Sequence, residues 1–156
     1  MSDESHRLRM VAGGISRPAG RVALVLAAML TALPAVADEF QARLGRTPVD
    51  ARTQASVTGL GEATAELDGK QLVISGRFSG LQGPATAASL RMGPAVGVRG
   101  PALRSLEVTN AADGALRGTL ELTDEQIAAL RAGRLYIQVD SAPAPDGNLW
   151  GWLLEE

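Results

Sequence analysis

Two-residue alternation of apolar and polar side chains, repeated in short runs bounded by glycine and proline, narrows the folds open to this sequence more than any other feature. Ala63, Ala65 and Leu67 alternate with Glu62, Thr64 and Glu66, Asp68-Gly69 follows, and Leu72, Ile74 and Phe78 resume the alternation. Successive strand side chains point to opposite faces, and Asp-Gly tolerates the positive φ angles of a type I′ turn, so the stretch predicts a hairpin with one apolar face. Residues 103–109 and 115–122 predict a second hairpin across 110–114, with Leu116, Leu120 and Leu122 inward and Arg117, Thr119 and Glu121 outward. Residues 40–45 read as a first strand and 47–58 as a loop. A short strand over 87–92 interrupts a stretch punctuated by Gly83, Pro84, Gly93, Pro94, Gly97 and Gly100.

One helix is predicted, over residues 124–132. Thr123-Asp124-Glu125-Gln126 matches a capping box, the first turn is acidic, and Gly133 supplies the stop. Residues 134–140 and 148–154 then form a closing hairpin around 141–147. The fold class that follows is all-β: an antiparallel β-sandwich or Greek-key barrel of about eight short strands with one short helix.

Ahead of this domain lies a different kind of segment. Arg7, Arg9, Arg17 and Arg21 precede an uncharged apolar run over residues 22–33, which Pro34 interrupts. The run is shorter than the roughly 18 to 20 apolar residues that span a bilayer, and Ala35-Val36-Ala37 is a small-x-small cleavage site. Residues 1–37 are therefore expected to be a signal peptide cut between Ala37 and Asp38, with no membrane span left after cleavage. The expected domain is 38–156, and its address the periplasm or the cell exterior. Lys70 is its one lysine, and the wealth of Ala, Arg and Gly is that of a GC-rich bacterial genome.

That domain holds 11 basic and 15 acidic residues, and its arginines are scattered singly, so nucleic acid is excluded as a partner. The sequence has no cysteine, so apolar packing alone must hold an exported fold. Its one histidine, His6, falls in the segment expected to be removed. Without His or Cys the domain lacks the usual zinc and copper ligands, the Ser-His-Asp and Cys-His nucleophile systems and redox dithiols, and no cofactor is expected. No phosphate-binding loop occurs, and Gly59-Leu60-Gly61 ahead of a strand reads as a bend.

Several pieces recur in a known order. They are Phe40 with Leu44; Leu81 and Ala88; Gly93-Pro94-Ala95 and Gly100-Pro101; Leu122-Thr123; Leu130 and Gly133; Leu135-Tyr136 with Val139; and Pro145, Gly147, Gly151 and Leu153. Over residues 40–153 the chain resembles a CHRD (chordin-type) domain. The resemblance implies a β-sandwich-like domain found in many bacterial exported proteins and, in animals, in an extracellular antagonist of growth factors. For the bacterial members it implies no established activity. The family commonly carries Ala-His-Ile-His where this chain has Ala88-Ser89-Leu90-Arg91, and Val-His where it has Val139-Asp140. It carries Gly-Glu-Ile-Arg-Gly where this chain has Gly147-Asn148-Leu149-Trp150-Gly151. The resemblance therefore implies a scaffold whose histidine site is replaced by Ser89, Arg91 and Asp140, and no metal role carries over.

The closing hairpin gathers the remaining chemistry. With Asp140 opposite Asn148, antiparallel pairing sets Tyr136 against Trp152 and Gln138 against Trp150 on one face, and Leu135 against Leu153 and Val139 against Leu149 on the other. The aliphatic face is core. The aromatic face is either a second buried layer or an exposed patch that binds something, burial being favoured because Trp and Tyr are amphipathic enough to close the edge of a sandwich. The expected function is a non-catalytic exported module that binds a protein or other ligand in the periplasm through Tyr136, Gln138, Asp140, Asn148, Trp150 and Trp152, with Ser89 and Arg91. The alternative is a small carboxylate-dependent hydrolase or a calcium-binding module using Asp140 and Asp146 at the final loop.

Overall fold

The computed structural model describes residues 36–156; the expected signal segment lies outside the described residues except for Val36 and Ala37. The order is β1 (Asp38–Arg46), β2 (Leu60–Asp68), β3 (Gln71–Ser79), β4 (Ala85–Met92), β5 (Ala102–Val108), β6 (Gly114–Glu121), α1 (Asp124–Arg131), β7 (Leu135–Ser141), β8 (Ala144–Trp152) and β9 (Leu154–Glu155). Every pairing is antiparallel. The spatial order is β2-β3-β6-β5-β4-β7-β8-β1, and β1 pairs again with β2, so eight strands close a barrel and the two-residue β9 extends the line of β8 along β1. The hairpin-linked β4, β5 and β6 lie beside β3, which is a Greek key. Closure pairs every strand of the barrel on both sides, although the β5–β6 and β1–β8 seams are short.

The alternating residues meet inside. Phe40, Leu44, Leu67, Leu72, Ile74, Leu90, Leu116, Leu135, Ile137 and Leu149 are buried in one core, and Leu122, Ala129 and Leu130 join it where α1 lies on the barrel's end. The helix starts as its sequence predicts. Thr123 Oγ1 accepts the Gln126 amide at 3.2 Å, and Gln126 Oε1 accepts the Thr123 amide at 3.0 Å.

Two local readings of the sequence are corrected. In the first hairpin Asp68 pairs with Gln71, so Gly69-Lys70 form the turn in place of Asp68-Gly69, and Gly69 takes the left-handed conformation at φ +60°. In the closing hairpin the strands run further than expected, with Ser141 paired to Ala144 across Ala142-Pro143. Between the Val139–Leu149 and Ser141–Ala144 pairs, β8 uses more residues than β7, so Asp146, Gly147 and Asn148 bulge from the ladder. The second hairpin is also narrow: β5 pairs with β6 only at Glu107–Arg117 and Val108–Leu116, and for the rest of its length follows β4.

Candidate functional site

The outer face of β4, β7 and β8 collects most of the residues singled out in the sequence. Register sets Tyr136 against Trp152 and Gln138 against Trp150 on one side. On the other it sets Arg91 against Tyr136, Ser89 against Gln138 and Ala87 against Asp140. Ser89, Arg91, Tyr136, Gln138, Asp140, Trp150 and Trp152 therefore share one face, as period-two geometry requires. The rings form a three-membered cluster. Tyr136 and Trp152 lie 4.4 Å apart between centroids, Tyr136 and Trp150 meet edge-to-face at 6.1 Å, and the indoles are 6.2 Å apart.

This face is partly roofed. Residues 93–101, joining β4 to β5, fold back as a strap over the rings. The Tyr136 hydroxyl accepts the Gly100 amide at 3.0 Å and donates to the Gly100 carbonyl at 3.2 Å. Arg91 Nε donates both to that carbonyl, at 3.1 Å, and to the Tyr136 hydroxyl, at 3.2 Å. Gly93 N donates to the Arg134 carbonyl at 2.9 Å and holds the other end of the strap. Further out, the Arg99 guanidinium lies over Trp150, 5.3 Å from the ring centroid, and Nη1 donates to the Asp146 carbonyl at 3.0 Å. A cation over an indole at such a partly wet position contributes about 0.5–1 kcal/mol.

The result is intermediate between the two readings of the aromatic face. Tyr136 is 0% exposed and Gln138 4%, so both are buried, whereas Trp150 and Trp152 remain half-buried with part of each ring open to solvent. Each indole thus has apolar area that a partner could cover.

Asp140 is half-buried beside them. Desolvation holds its carboxyl above the usual aspartate range, the Gln138 bond and the charges of Arg91 and Arg99 oppose that rise, and Asp146 adds to it. Gln138 Nε2 donates to Asp140 Oδ1 at 2.8 Å. Ser89 Oγ is buried with no hydrogen-bond partner among the described residues, an unsatisfied group at the middle of the face.

Asn148 is not part of this surface. The bulge turns its amide into the barrel wall, where Oδ1 accepts the Ser141 hydroxyl at 2.9 Å and Nδ2 donates to the Thr58 carbonyl at 2.6 Å. The residue is 0% exposed. It ties the segment between β1 and β2 to the closing hairpin, with Thr47 Oγ1 on the Gly147 carbonyl at 2.8 Å as a second tie.

Asp146, expected to flank the final loop, lies instead on the bulge of β8, where its carbonyl serves Arg99 and, at 3.5 Å, Gln138. Among the described residues no three acidic or histidine side chains come close enough together to cage a metal ion. At the proposed cleavage point Asp38 opens β1, and its carboxylate accepts Arg131 Nη2 at 2.7 Å.

The sequence reading missed Arg99, and it gave Gly100 only as a position of the resembling family. Arg99 stands in a Gly- and Pro-rich stretch with no periodicity, so nothing in the pattern announces that the strap returns to Trp150; the compositional signal was only that a loop is there.

Neither the curated proteins nor the solved structures returned a match. The family model of the CHRD domain matches residues 40–153, which takes in every strand of the barrel, the strap and the aromatic face. The chain therefore belongs to the CHRD domain family.

Proposed function

We propose that the protein is an exported, non-catalytic CHRD module that binds a protein or other ligand in the periplasm or outside the cell through the face formed by Trp150, Trp152, Gln138, Asp140, Ser89 and Arg91. The observation that carries this reading is the convergence of both tryptophans and the only tyrosine on one outer face, with the two indoles left half-open. Aromatic side chains beside arginine are the groups that concentrate binding energy at protein interfaces, because they bring large apolar area with few rotatable bonds. Export rests on the arginine-flanked apolar run and the Ala35-Val36-Ala37 sequence ahead of Asp38. Among the described residues no helix is long and apolar enough to cross a membrane.

The test is affinity capture from the periplasm or growth medium of the source cell with the wild type and with Trp150→Ala and Trp152→Ala. A partner retained by the wild type and lost by both variants, each folding normally, is the expected result. Capture indifferent to both substitutions would overturn the reading.

Asp140 favours a second reading, since a half-buried carboxyl held above its usual range is a trait of acid–base groups. On that reading a carboxylate-dependent hydrolysis or a calcium site would depend on Asp140 and Asp146. It requires that Asp140→Asn abolish turnover or calcium-induced stabilisation while partner capture persists.

A further inference from the structure

We infer that Trp150, Asp140 and the Asp146 carbonyl form a recognition site for a guanidinium group, which Arg99 of the protein's own strap fills in the free protein and an arginine of the partner takes over in the complex. This deepens the binding role proposed above and rests on it.

The geometry is that of a ligand already in place. A guanidinium asks for an aromatic face to stack on and for acceptors in its own plane. Arg99 has both: its Cζ stands 5.3 Å from the centre of the Trp150 ring, and Nη1 donates to the Asp146 carbonyl. None of the four ion pairs among the described residues includes it. Asp140 lies close enough for the charges of Arg99 and Asp146 to act on it, and only one of its oxygens is engaged, by Gln138. Removing Arg99 would leave an indole face beside two acidic residues, a setting that attracts a cation.

The strap is built so that Arg99 can leave. Its ends are fixed by Gly93 on Arg134 and by Gly100 on Tyr136, while residues 94–99 between them are all exposed. Arg91, the other arginine of the face, holds Gly100 and Tyr136 and stays where it is. Arg99 is therefore a tethered competitor, displaced when a partner brings its own arginine together with enough further contact. Lysine would serve less well, because a compact, strongly hydrated ammonium cannot stack flat on the indole while donating in plane.

The experiment titrates N-acetyl-arginine amide, and the uncharged N-acetyl-citrulline amide as control, into the wild-type protein and Arg99→Ala, following the indole N–H resonance of Trp150, assigned with Trp150→Phe. Loss of the tethered competitor should tighten binding of the arginine amide by about threefold or more in Arg99→Ala. The citrulline amide should leave the Trp150 resonance unmoved, and adding Asp140→Asn should weaken the arginine amide again. Equal affinity for wild type and Arg99→Ala, equal binding of citrulline amide, or an unmoved resonance with Arg99→Ala folded would overturn the inference. Partner capture that still depends on the two tryptophans while the arginine amide fails would overturn the guanidinium assignment alone. Capture indifferent to them would overturn the binding face itself.

Discussion

Tyr136 and Gly100 are joined twice: the phenol accepts the glycine amide and donates to the glycine carbonyl, 36 residues away in sequence. The hydroxyl is thus the clasp of the strap, and Arg91 reinforces it from the adjacent strand. Tyr136→Phe keeps the ring and its stacking on Trp152 but leaves the Gly100 amide without its acceptor. Losing partners for partly buried polar groups costs about 1–3 kcal/mol. The expected outcome is a urea midpoint lowered accordingly, together with faster proteolysis within residues 94–99. Unchanged cleavage would show that the hydroxyl does not hold the strap.

Asn148 carries a separate load. Its amide joins Ser141 to the Thr58 carbonyl within the barrel wall, so Asn148→Ala orphans an acceptor and a hydroxyl at once. A loss of about 2–3 kcal/mol is expected by chemical denaturation, and Ser141→Ala alone should cost roughly 1 kcal/mol. A double-mutant cycle should give clear non-additivity, since both changes remove the same bond.

How much of this could be read from the sequence depends on whether a feature follows from period. The pairs Tyr136–Trp152 and Gln138–Trp150 do, and so do the inward Leu116 and Leu122, because alternation fixes which residues share a face once two strands are in register. Asn148 could not be read that way: the extra residues in β8 break the register between Val139 and Ser141, and a bulge has no periodic signature. The sequence places Gly69 in the right turn but one position late in it, because Asp-Gly suits a turn in either frame and only the Asp68–Gln71 pair decides. The strap is a tertiary feature, held by a hydroxyl and a guanidinium on distant strands. Register does bring Ser89, Arg91 and Asp140 to one face, so the location of that face was legible even though its roof was not.

Asp140 predicts a pH dependence. Its carboxyl sits above the ordinary aspartate range in the folded protein, with desolvation as the leading cause. The folded state therefore binds a proton that the unfolded state releases at lower pH. The stabilising contribution is complete below the unfolded-state value and is lost as pH rises through the folded-state value. Asp140→Asn removes the charge and retains an acceptor for Gln138. It should flatten the stability profile just above the usual aspartate range and raise stability at neutral pH by less than about 1 kcal/mol, because the group is half-exposed and screened. Thermal melts across that range check it. A variant less stable than wild type at neutral pH would mean that the opposing attraction of Arg91 and Arg99 outweighs desolvation.

Gly93 and Gly97 separate the packing of the strap from its flexibility. A Cβ at Gly93 would overlap the Val98 carbonyl oxygen, approach Trp152 Cη2 to 2.9 Å and reach 3.1 Å from the Ala95 carbonyl oxygen, so the strap or the indole must move. Gly97 has open space around its Cβ direction, and only its φ of +81° disfavours a side chain. Gly93→Ala should cost about 1–3 kcal/mol as an overpacked contact, and Gly97→Ala about 1–2 kcal/mol as backbone strain. The two costs are similar but their signatures differ. Gly93→Ala should shift the emission of Trp152 and expose Tyr136 to solvent, whereas Gly97→Ala should leave both unchanged, because it loads the apex of the strap and not its seat on the rings. Equal emission shifts in the two variants would mean that the strap moves as one piece, without the fixed ends assigned to Gly93 and Gly100.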